Sequence, residues 1–261
     1  MTVFVTGASG YLGSRLIKTL ENKHKVRTLS GNLNNPNAWE SDLRESDCVI
    51  HLAAITHGTQ DQYEEVNVIG TNNLITIAKK EKIKRIIYVS TRAVGNICGA
   101  YGKSKESAEH IIIESGIPFV IARPAEVYSS NLAGREGLGK LANIIKKFPI
   151  VPYIRDSRAR VAPIHIDDVI ASLDILVNNP NLTGMYTLAG PETLSFRETI
   201  IRMCHYFGVK RILLPMPLFL WKLIYRVSGT RDQLQRLLCH KDGLGKNVYE
   251  DLGIIPRKFL Q

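Results

Sequence analysis

Short apolar runs alternate with amphipathic segments through the first two-thirds of the chain. Continuous apolar runs bounded by turn residues are typical of buried strands, whereas apolar positions three and four apart are typical of helices. Strands that alternate with helices indicate a parallel sheet covered on both faces. The pattern predicts strands over residues 2–5, 25–29, 48–52, 85–90 and 118–122, and helices over residues 11–20, 66–81 and 102–115.

The regular alternation ends after Arg123-Pro124. We therefore predict an α/β fold, a doubly wound parallel sheet of the Rossmann type with a small C-terminal substrate lobe. Ligands of such sheets bind at the carboxyl ends of the strands, so the lobe is expected to lie over that edge.

Three glycines at a spacing of three follow the first apolar run. Gly7 allows a sharp turn, Gly10 lets backbone N–H groups approach a phosphate, and Gly13 lets the next helix pack close to the strand. The helix N-terminus attracts the phosphate charge. This strand, turn and helix predict a dinucleotide-binding domain formed by residues 1–124 plus about 160–185, and a substrate-binding lobe of about 125–160 and 186–261.

Tyr101 and Lys105 lie four residues apart at the start of a predicted helix and therefore share a face. A cation beside a phenol favours the phenolate, which makes Tyr101 a usable proton donor or acceptor. Thr91 follows the strand that ends ten residues earlier, and its hydroxyl can hydrogen-bond the same substrate oxygen. A second pair with this spacing, Tyr206 and Lys210, has no polar strand end before it and is interpreted as structural.

The net charge of +10 is uneven, because residues 197–261 hold 12 Lys and Arg against 5 Asp and Glu. A solvated basic face is the commonest meaning of such a cluster, and a phosphate-bearing substrate or an acidic membrane surface or partner are the alternatives. No basic strand interleaved with aromatic residues and no reading helix is evident, so we expect no nucleic-acid partner.

The most apolar segment, residues 212–227, is interrupted by Pro215, Pro217, Lys222 and Arg226 and is short for a membrane span. It predicts a helix packed on the core, and we expect no membrane contact, with a peripheral contact as the alternative. The chain begins with its first predicted strand, and we expect no signal peptide. Cys48, Cys98, Cys204 and Cys239 are scattered, which predicts reduced thiols in a cytoplasmic protein; no metal site is expected.

Further motifs accompany the glycine loop and the Tyr101 pair. They are Asp42-Leu43, the strand over residues 47–54, the helix that begins at Asn67, Arg123-Pro124, residues 165–169 and residues 184–198. With these motifs, the chain resembles the extended or atypical branch of the short-chain dehydrogenase/reductase superfamily, the NAD-dependent epimerase/dehydratase family, along nearly its whole length.

The resemblance implies a role for each residue of the catalytic set. Tyr101 would exchange a proton with a carbonyl or hydroxyl oxygen, Lys105 would bind the nicotinamide ribose and tune Tyr101, and Thr91 would position the oxygen. The cofactor-binding residues that it implies are Gly7, Ser9, Gly10, Tyr11, Leu12, Gly13, Ser30, Asp42, Leu43, Leu52, Ala53, Ala54, Asn67, Tyr101, Lys105 and Pro124.

Some positions depart from the family pattern. Ser30 stands where an NAD-specific site carries an acidic residue, so NADP is favoured over NAD. The stretch between Thr91 and Tyr101 is short, and we expect a more open pocket. Glu126 replaces the asparagine of sugar-nucleotide members and would repel a diphosphate, while Arg160 adjoins an expected arginine position. Thr91, Glu126 and Arg160 are the candidate substrate contacts.

The favoured function is an NAD(P)-dependent oxidoreductase acting on a carbonyl or hydroxyl carbon of a nucleotide sugar or a similar polar small molecule. The alternatives are an NAD-dependent sugar-nucleotide epimerase and a non-catalytic NAD(P)-binding accessory or sensor subunit. The helices predicted over residues 66–81 and 102–115 resemble those that pair in family dimers, and we expect a homodimer.

Overall fold

A computed structural model describes residues 1–29, 31–132, 137–155, 159–228, 231–239, 246–247 and 251–260. The strands are β1 (Thr2–Thr6), β2 (Lys25–Thr28), β3 (Cys48–His51), β4 (Arg85–Val89), β5 (Phe119–Pro124), β6 (Val127–Tyr128), β7 (Ile150–Ile154), β8 (Ile164–His165), β9 (Gly184–Leu188), β10 (Ile212–Met216) and β11 (Lys246–Asn247). The helices are α1 (Gly13–Leu20), α2 (Glu40–Leu43), α3 (Gln60–Tyr63), α4 (Gly70–Lys80), α5 (Gly99–Ile113), α6 (Gly137–Lys147), α7 (Ile166–Asn178), α8 (Phe196–Tyr206), α9 (Leu218–Val227) and α10 (Arg231–Leu238).

The predicted α/β fold is confirmed. A seven-stranded sheet has the order β11-β9-β5-β4-β3-β1-β2, and its paired strands are parallel. The strand order reverses at β1, so a crevice forms at the carboxyl ends of β1 and β3, where doubly wound sheets bind ligands. Each predicted strand corresponds to one of β1 to β5, with ends that differ by two residues or fewer.

The sheet has a hydrophobic core on each face. Side chains of successive strand residues point to opposite faces, so Val3 and Val5 join one core and Phe4 joins the other. Helices α1 and α7 cover the first face, and helices α2, α4 and α5 cover the second. The sheet strands are therefore buried on both sides, which is why they appear in the sequence as unbroken apolar runs.

A third core lies outside the main sheet. Its members come from α6, α8, the short strands β6 and β7, and the C-terminal segment. Ala142, Ile145, Met203 and Phe259 are fully buried there. This separate core is compatible with a substrate-binding lobe, although the proposed domain boundaries stay a prediction.

The expectation that residues 212–227 form a helix packed on the core is wrong, although Leu213 packs against the third core. Among the described residues, β10 pairs with β7 in a two-stranded ribbon, and α9 has no buried residue. α9 packs against α10 instead of against the sheet, which leaves one of its sides in solvent. Within the described part of the chain, no helix combines the length and hydrophobicity that a membrane crossing requires.

Candidate active site

The glycine loop between β1 and α1 is folded tightly back on itself. Gly7 has a φ of +72°, and a Cβ there would lie 2.7 Å from the backbone nitrogen of Ala53. A Cβ on Gly13 would lie 2.1 Å from the carbonyl oxygen of Gly7. Both distances are shorter than real Cβ contacts and involve backbone atoms, so neither position accepts a side chain.

The outer side of this loop fits the pyrophosphate of a dinucleotide. A Cβ on Gly10 would meet only the Gly7 carbonyl oxygen, at 3.1 Å, and would otherwise point into open space. Ser9, Gly10 and Tyr11 are exposed, and the first turn of α1 carries no acidic side chain. Gly10, Ser14 and Arg15 already donate their backbone N–H groups to carbonyl oxygens of the loop, so among the described residues the N–H groups of Tyr11 and Leu12 are left to bind an anion. Leu52, Ala53 and Ala54, which follow β3, are half-buried beside the loop.

A series of buried hydrogen bonds connects the strand ends at the bottom of this crevice. The Thr6 hydroxyl lies 2.7 Å from Nδ1 of His51 and accepts a hydrogen bond from the backbone nitrogen of Ala53. Nε2 of His51 lies 2.9 Å from the Thr71 hydroxyl. Burial lowers the pKa of His51 to about 3. His51 is therefore a neutral structural residue that fixes the ends of β1 and β3.

α5 brings Tyr101 and Lys105 to the carboxyl end of β4. Lys105 is fully buried, and its Nζ donates to the carbonyl oxygen of Val89, 3.0 Å away, and lies 4.2 Å from the centre of the Tyr88 ring. Burial lowers the pKa of Lys105 to about 7. Val89 is the last residue of β4 and lies two residues before Thr91, so this contact joins the predicted catalytic elements.

The next turn of α5 carries a buried carboxylate. Nε of Arg123 in β5 donates to Glu109, 2.9 Å away, and both side chains are buried. Burying a charge is costly without a partner, and this ion pair satisfies both groups. The Glu109 charge acts to raise the pKa of Lys105 and opposes the larger effect of burial.

α10 covers Tyr101, which the sequence did not predict. The guanidinium carbon of Arg236 lies 4.8 Å from the centre of the Tyr101 ring, and Asp232 accepts a hydrogen bond of 3.2 Å from the Tyr101 backbone nitrogen. The Tyr63 ring packs on Tyr101 at 5.7 Å. Tyr101 is only 8% exposed. The expected more open pocket is therefore wrong, because α10 fills the space beside the shortened loop.

Arg236 is fixed in this position by two further contacts. Its Nε lies 3.2 Å from Asp232, and one terminal nitrogen donates to the Thr56 carbonyl oxygen at 2.8 Å. The basic excess of residues 197–261 was the only signal in the sequence that could have pointed to this arginine.

The prediction of four reduced cysteines is also wrong for two of them. Cys98 and Cys239 form a disulfide, with their Cα atoms 5.1 Å apart, while Cys48 and Cys204 are free. The two bonded residues are separated by 141 positions, so their spacing carries no disulfide signal. They meet because the end of α10 packs against the turn that precedes α5.

The three candidate substrate contacts come from separate parts of the sequence and lie around Arg92 in the structure. Glu126 lies 3.4 Å from Arg92 and accepts a hydrogen bond from the backbone nitrogen of Ala162. Its charge is thus balanced by an arginine that the sequence analysis did not single out. Arg92 also donates to the carbonyl oxygen of the exposed Arg160. The Thr91 hydroxyl accepts a hydrogen bond from the backbone nitrogen of Ala93.

The remaining predicted cofactor residues occupy varied environments. Asn67 is buried in a π-helical segment before α4, where its amide bonds Ile55 and Ser104 and links the loop after β3 to α5. The Leu43 side chain is fully buried in the core and Asp42 is half-buried. Pro124 is buried at the end of β5, and Ser30 lies outside the described residues.

The second tyrosine and lysine pair lies at the end of α8 and in the segment after it, and its structural role stays a prediction. Tyr206 is half-exposed on α8, and its hydroxyl donates to the carbonyl oxygen of Ser130, 2.9 Å away. Among the residues described by the structure, no group of three or more His, Cys, Asp or Glu side chains could hold a metal ion.

The chain is similar to known proteins along most of its length. Residues 3–188 match the model of the NAD dependent epimerase/dehydratase family. The chain is 23% identical to the UDP-glucose 4-epimerase of Vibrio cholerae over 304 residues, covering 100% of this chain and 92% of that protein. It is 32% identical to a 2-alkyl-3-oxoalkanoate reductase of Stenotrophomonas maltophilia over 291 residues, covering 91% and 84%.

A solved structure shares the fold. MoeE5 in complex with UDP-glucuronic acid and NAD superposes with a TM-score of 0.79 at 18% identity, covering 100% of this chain and 95% of that one. The glycine loop, the Tyr101 and Lys105 pair and the family match over most of the chain lead to one conclusion. This protein belongs to the NAD-dependent epimerase/dehydratase family of enzymes.

Proposed function

We propose that this enzyme reduces a carbonyl carbon, or oxidises the corresponding hydroxyl carbon, with NAD(P) as cofactor and Tyr101 as the proton donor or acceptor. The observation that carries the proposal is the Tyr101 and Lys105 pair on one face of α5, fixed to the carboxyl end of β4 by the bond from Lys105 to Val89.

The residues around Tyr101 support proton transfer to a substrate oxygen. When bound, the nicotinamide supplies or accepts a hydride at the same carbon. Burial lowers the pKa of Lys105 to about 7, so its amine can take up or release a proton near neutral pH. The Arg236 guanidinium places a positive charge 4.8 Å from the centre of the Tyr101 ring, close to the proposed proton donor. We assign Thr91 to positioning the substrate oxygen.

We propose a nucleotide sugar or a similar polar metabolite as the substrate, bound between the sheet and the lobe of about 125–160 and 186–261. Two relatives are a UDP-glucose 4-epimerase and a 2-alkyl-3-oxoalkanoate reductase. Both are named for a reaction at a carbon atom that carries an oxygen atom. Arg92 balances Glu126, so this carboxylate no longer argues against a diphosphate. Arg160, which is exposed beside this pair, is the proposed phosphate contact.

We propose NADP as the preferred cofactor. The sequence from residue 22 to residue 39, which contains β2 and the turn after it, has no Asp or Glu. An acidic side chain at the end of the second strand is what an NAD-specific site uses to hold the ribose hydroxyl. Without one, nothing acidic in this segment repels a 2′-phosphate. Tighter binding of NADH than of NADPH in a fluorescence titration would overturn this preference.

The test of the proposed function is oxidation of NADPH and NADH by the purified protein against keto-sugar nucleotides and simpler ketones. Turnover that disappears in Tyr101→Phe and persists in Tyr206→Phe is the expected result. Turnover that persists in Tyr101→Phe would overturn the mechanism. No turnover with any ketone, despite tight dinucleotide binding, would overturn the reductase proposal.

An epimerase is the second candidate, and the cover over Tyr101 favours it. An enzyme that oxidises and re-reduces the same substrate must retain both its cofactor and the intermediate through the cycle. α10 and the Tyr63 ring leave little of Tyr101 exposed, which suits such retention. Nucleotide that copurifies with the protein and resists dialysis would support the epimerase, and rapid loss of added nucleotide would exclude it.

We further propose that the enzyme is a cytoplasmic homodimer that pairs through the outer faces of α4 and α5. Ile69, just before α4, and Ile113, at the end of α5, are exposed apolar residues on this side. Light scattering should give twice the chain mass of 29.2 kDa, and a monomer mass would refute the dimer. Thiol counting in native extracts tests the location, because disulfides are rare in the cytoplasm. Four reactive thiols would support a cytoplasmic protein, and two, with Cys98 and Cys239 bonded, would contradict it.

A further inference from the structure

α9 presents an uncovered apolar stripe to solvent. Phe219, Leu223 and Val227 are four residues apart, which places them on one face of the helix. They are 66%, 57% and 81% exposed, respectively. Scattered exposed apolar residues are ordinary on protein surfaces, but an aligned row of large ones marks an interaction site.

Basic residues border this stripe. Lys222 and Arg226 are four residues apart on the same exposed side of α9. Residues 210–228 contain four Lys and Arg and no Asp or Glu. Among the residues that the structure describes, no carboxylate forms an ion pair with Lys222 or Arg226. The exposed side of α9 is therefore both apolar and positively charged.

The opposite side of α9 attaches the helix to the protein. Trp221 and Tyr225 are half-buried there, with their ring centres 6.1 Å apart, and burial raises the pKa of Tyr225. α9 also packs against α10, which carries the Arg236 that covers Tyr101. The helix thus has one anchored side and one free side, as a surface-binding helix requires.

We propose that α9 lies flat on an anionic membrane surface, with Phe219, Leu223 and Val227 inserted and Lys222 and Arg226 at the lipid phosphates. A ten-residue helix is about 15 Å long, so it can lie in the interface but cannot cross the bilayer. An apolar stripe bordered by lysine and arginine is the pattern of interfacial helices, and anionic headgroups complement the charge.

The charge disfavours a second copy of this chain as the occupant. A two-fold interface brings the same patch of both copies together, so Lys222 and Arg226 would face a patch that is equally basic. No acidic residue within residues 210–228 could balance them. A lipid surface satisfies the apolar and the charged residues together. This proposal does not depend on the proposed function, because it concerns binding and not turnover.

The test measures partitioning of the full chain onto phosphatidylcholine vesicles with and without phosphatidylglycerol, by sedimentation. We expect binding to the anionic vesicles and much weaker binding to the neutral ones. Lys222→Gln/Arg226→Gln should lower the partition coefficient roughly 30-fold, since each surface cation contributes about 1 kcal/mol. Phe219→Ser/Leu223→Ser should lower it at least about tenfold.

Matched controls alter the same residue types elsewhere on the surface. Lys18→Gln/Lys25→Gln removes two exposed lysines, and Ile201→Ser/Ile255→Ser removes two exposed isoleucines; both should bind as the wild type does. Equal partitioning of the wild type onto both kinds of vesicle, or onto neither, would overturn the proposal. So would full binding by Phe219→Ser/Leu223→Ser, or a dimer in solution that this variant dissociates.

Discussion

Tyr101 lies on α5 and is covered by α10, and these two helices differ in how readily the sequence shows their role in the site. α5 supplies Tyr101, Lys105 and Glu109 at a spacing of four, and all three are buried. α10 supplies Asp232 and Arg236, also four apart, from a position more than 130 residues further along the chain. The first set is recognisable in the sequence because Tyr101 and Lys105 follow a predicted strand that ends in polar residues, whereas Asp232 and Arg236 have the same spacing but no such context. The second becomes meaningful only once the helices have packed.

This difference predicts which substitutions reduce activity most. The α5 residues lie in the core beside β4, where a changed side chain alters chemistry directly. The α10 residues act on Tyr101 from outside, over a ring face and through one backbone hydrogen bond. Substitutions on α5 should therefore have larger effects than substitutions on α10, and the predictions below test that order.

The largest effect is expected for Tyr101→Phe. Loss of a positioned proton donor typically costs a factor of 10²–10⁴, so kcat/KM should fall about 10³-fold while dinucleotide binding persists. Tyr206→Phe is the control, because that hydroxyl only bonds the Ser130 carbonyl on the surface. Steady-state kinetics checks both variants. A similar loss in each would show that spacing alone does not identify the catalytic tyrosine.

The next effect tests how firmly α10 is tied to the site. The Cys98–Cys239 disulfide closes a separation of 141 residues, and a bond of this kind typically contributes 2–4 kcal/mol. Cys239→Ser should therefore lower the free energy of unfolding by about 3 kcal/mol in urea denaturation without reductant. Cys98→Ser should match it, and Cys204→Ser, which alters a free thiol, should have little effect. If reductant leaves the wild-type curve unchanged, the bond does not form in solution.

The sequence predicted the sheet well because the information is local. A strand buried on both faces is a continuous apolar run, so β1, β3 and β4 could be placed within a residue at each end. The glycine loop could also be recognised in the sequence, since Gly7 and Gly13 have no room for a side chain. These features depend on residues that are neighbours in sequence or on the local backbone geometry. Both are visible in the order of residue types along the chain.

The incorrect predictions concern contacts between residues that are distant in sequence. Cys98 and Cys239 looked unrelated, and Arg236 looked like one more surface cation, because each depends on a contact between distant elements. α9 looked like a core helix because its apolar content is high, but hydrophobicity does not tell which surface will cover a helix. The ion pair between Glu126 and Arg92 was missed for the same reason, since Arg92 lies in another loop.

A smaller effect should appear in the pH dependence of stability. Burial lowers the pKa of Lys105 from 10.5 to about 7. Between these values the unfolded chain binds a proton at Lys105 that the folded chain does not, so stability rises with pH. In cofactor-free protein, the free energy of unfolding should rise by about 2 kcal/mol from pH 7 to pH 9, relative to Lys105→Met.

Lys103→Met is the control for this measurement, because Lys103 is an exposed residue on the same helix. Its stability should follow the wild-type pH dependence. Urea denaturation of the three proteins at several pH values gives the comparison. Parallel curves for wild type and Lys105→Met would mean that the buried amine stays protonated through this range, contrary to the effect of burial.

The smallest effect is expected for Arg236→Met, which removes the cation over the Tyr101 ring but keeps most of the side-chain volume. A cation–π contact is worth about 0.5–2 kcal/mol, so kcat/KM should fall roughly tenfold. Arg236→Lys should recover part of the loss, because a charge remains above the ring while the bond to the Thr56 carbonyl changes. Lys210→Met, which removes a cation distant from Tyr101 in the second tyrosine and lysine pair, should leave kcat/KM unchanged. A loss for Arg236→Met as large as that for Tyr101→Phe would mean that Arg236 on α10 is as important for turnover as the residues of α5.

An unchanged kcat/KM in Arg236→Met would show that α10 only covers Tyr101, and that its contacts contribute to stability and not to turnover.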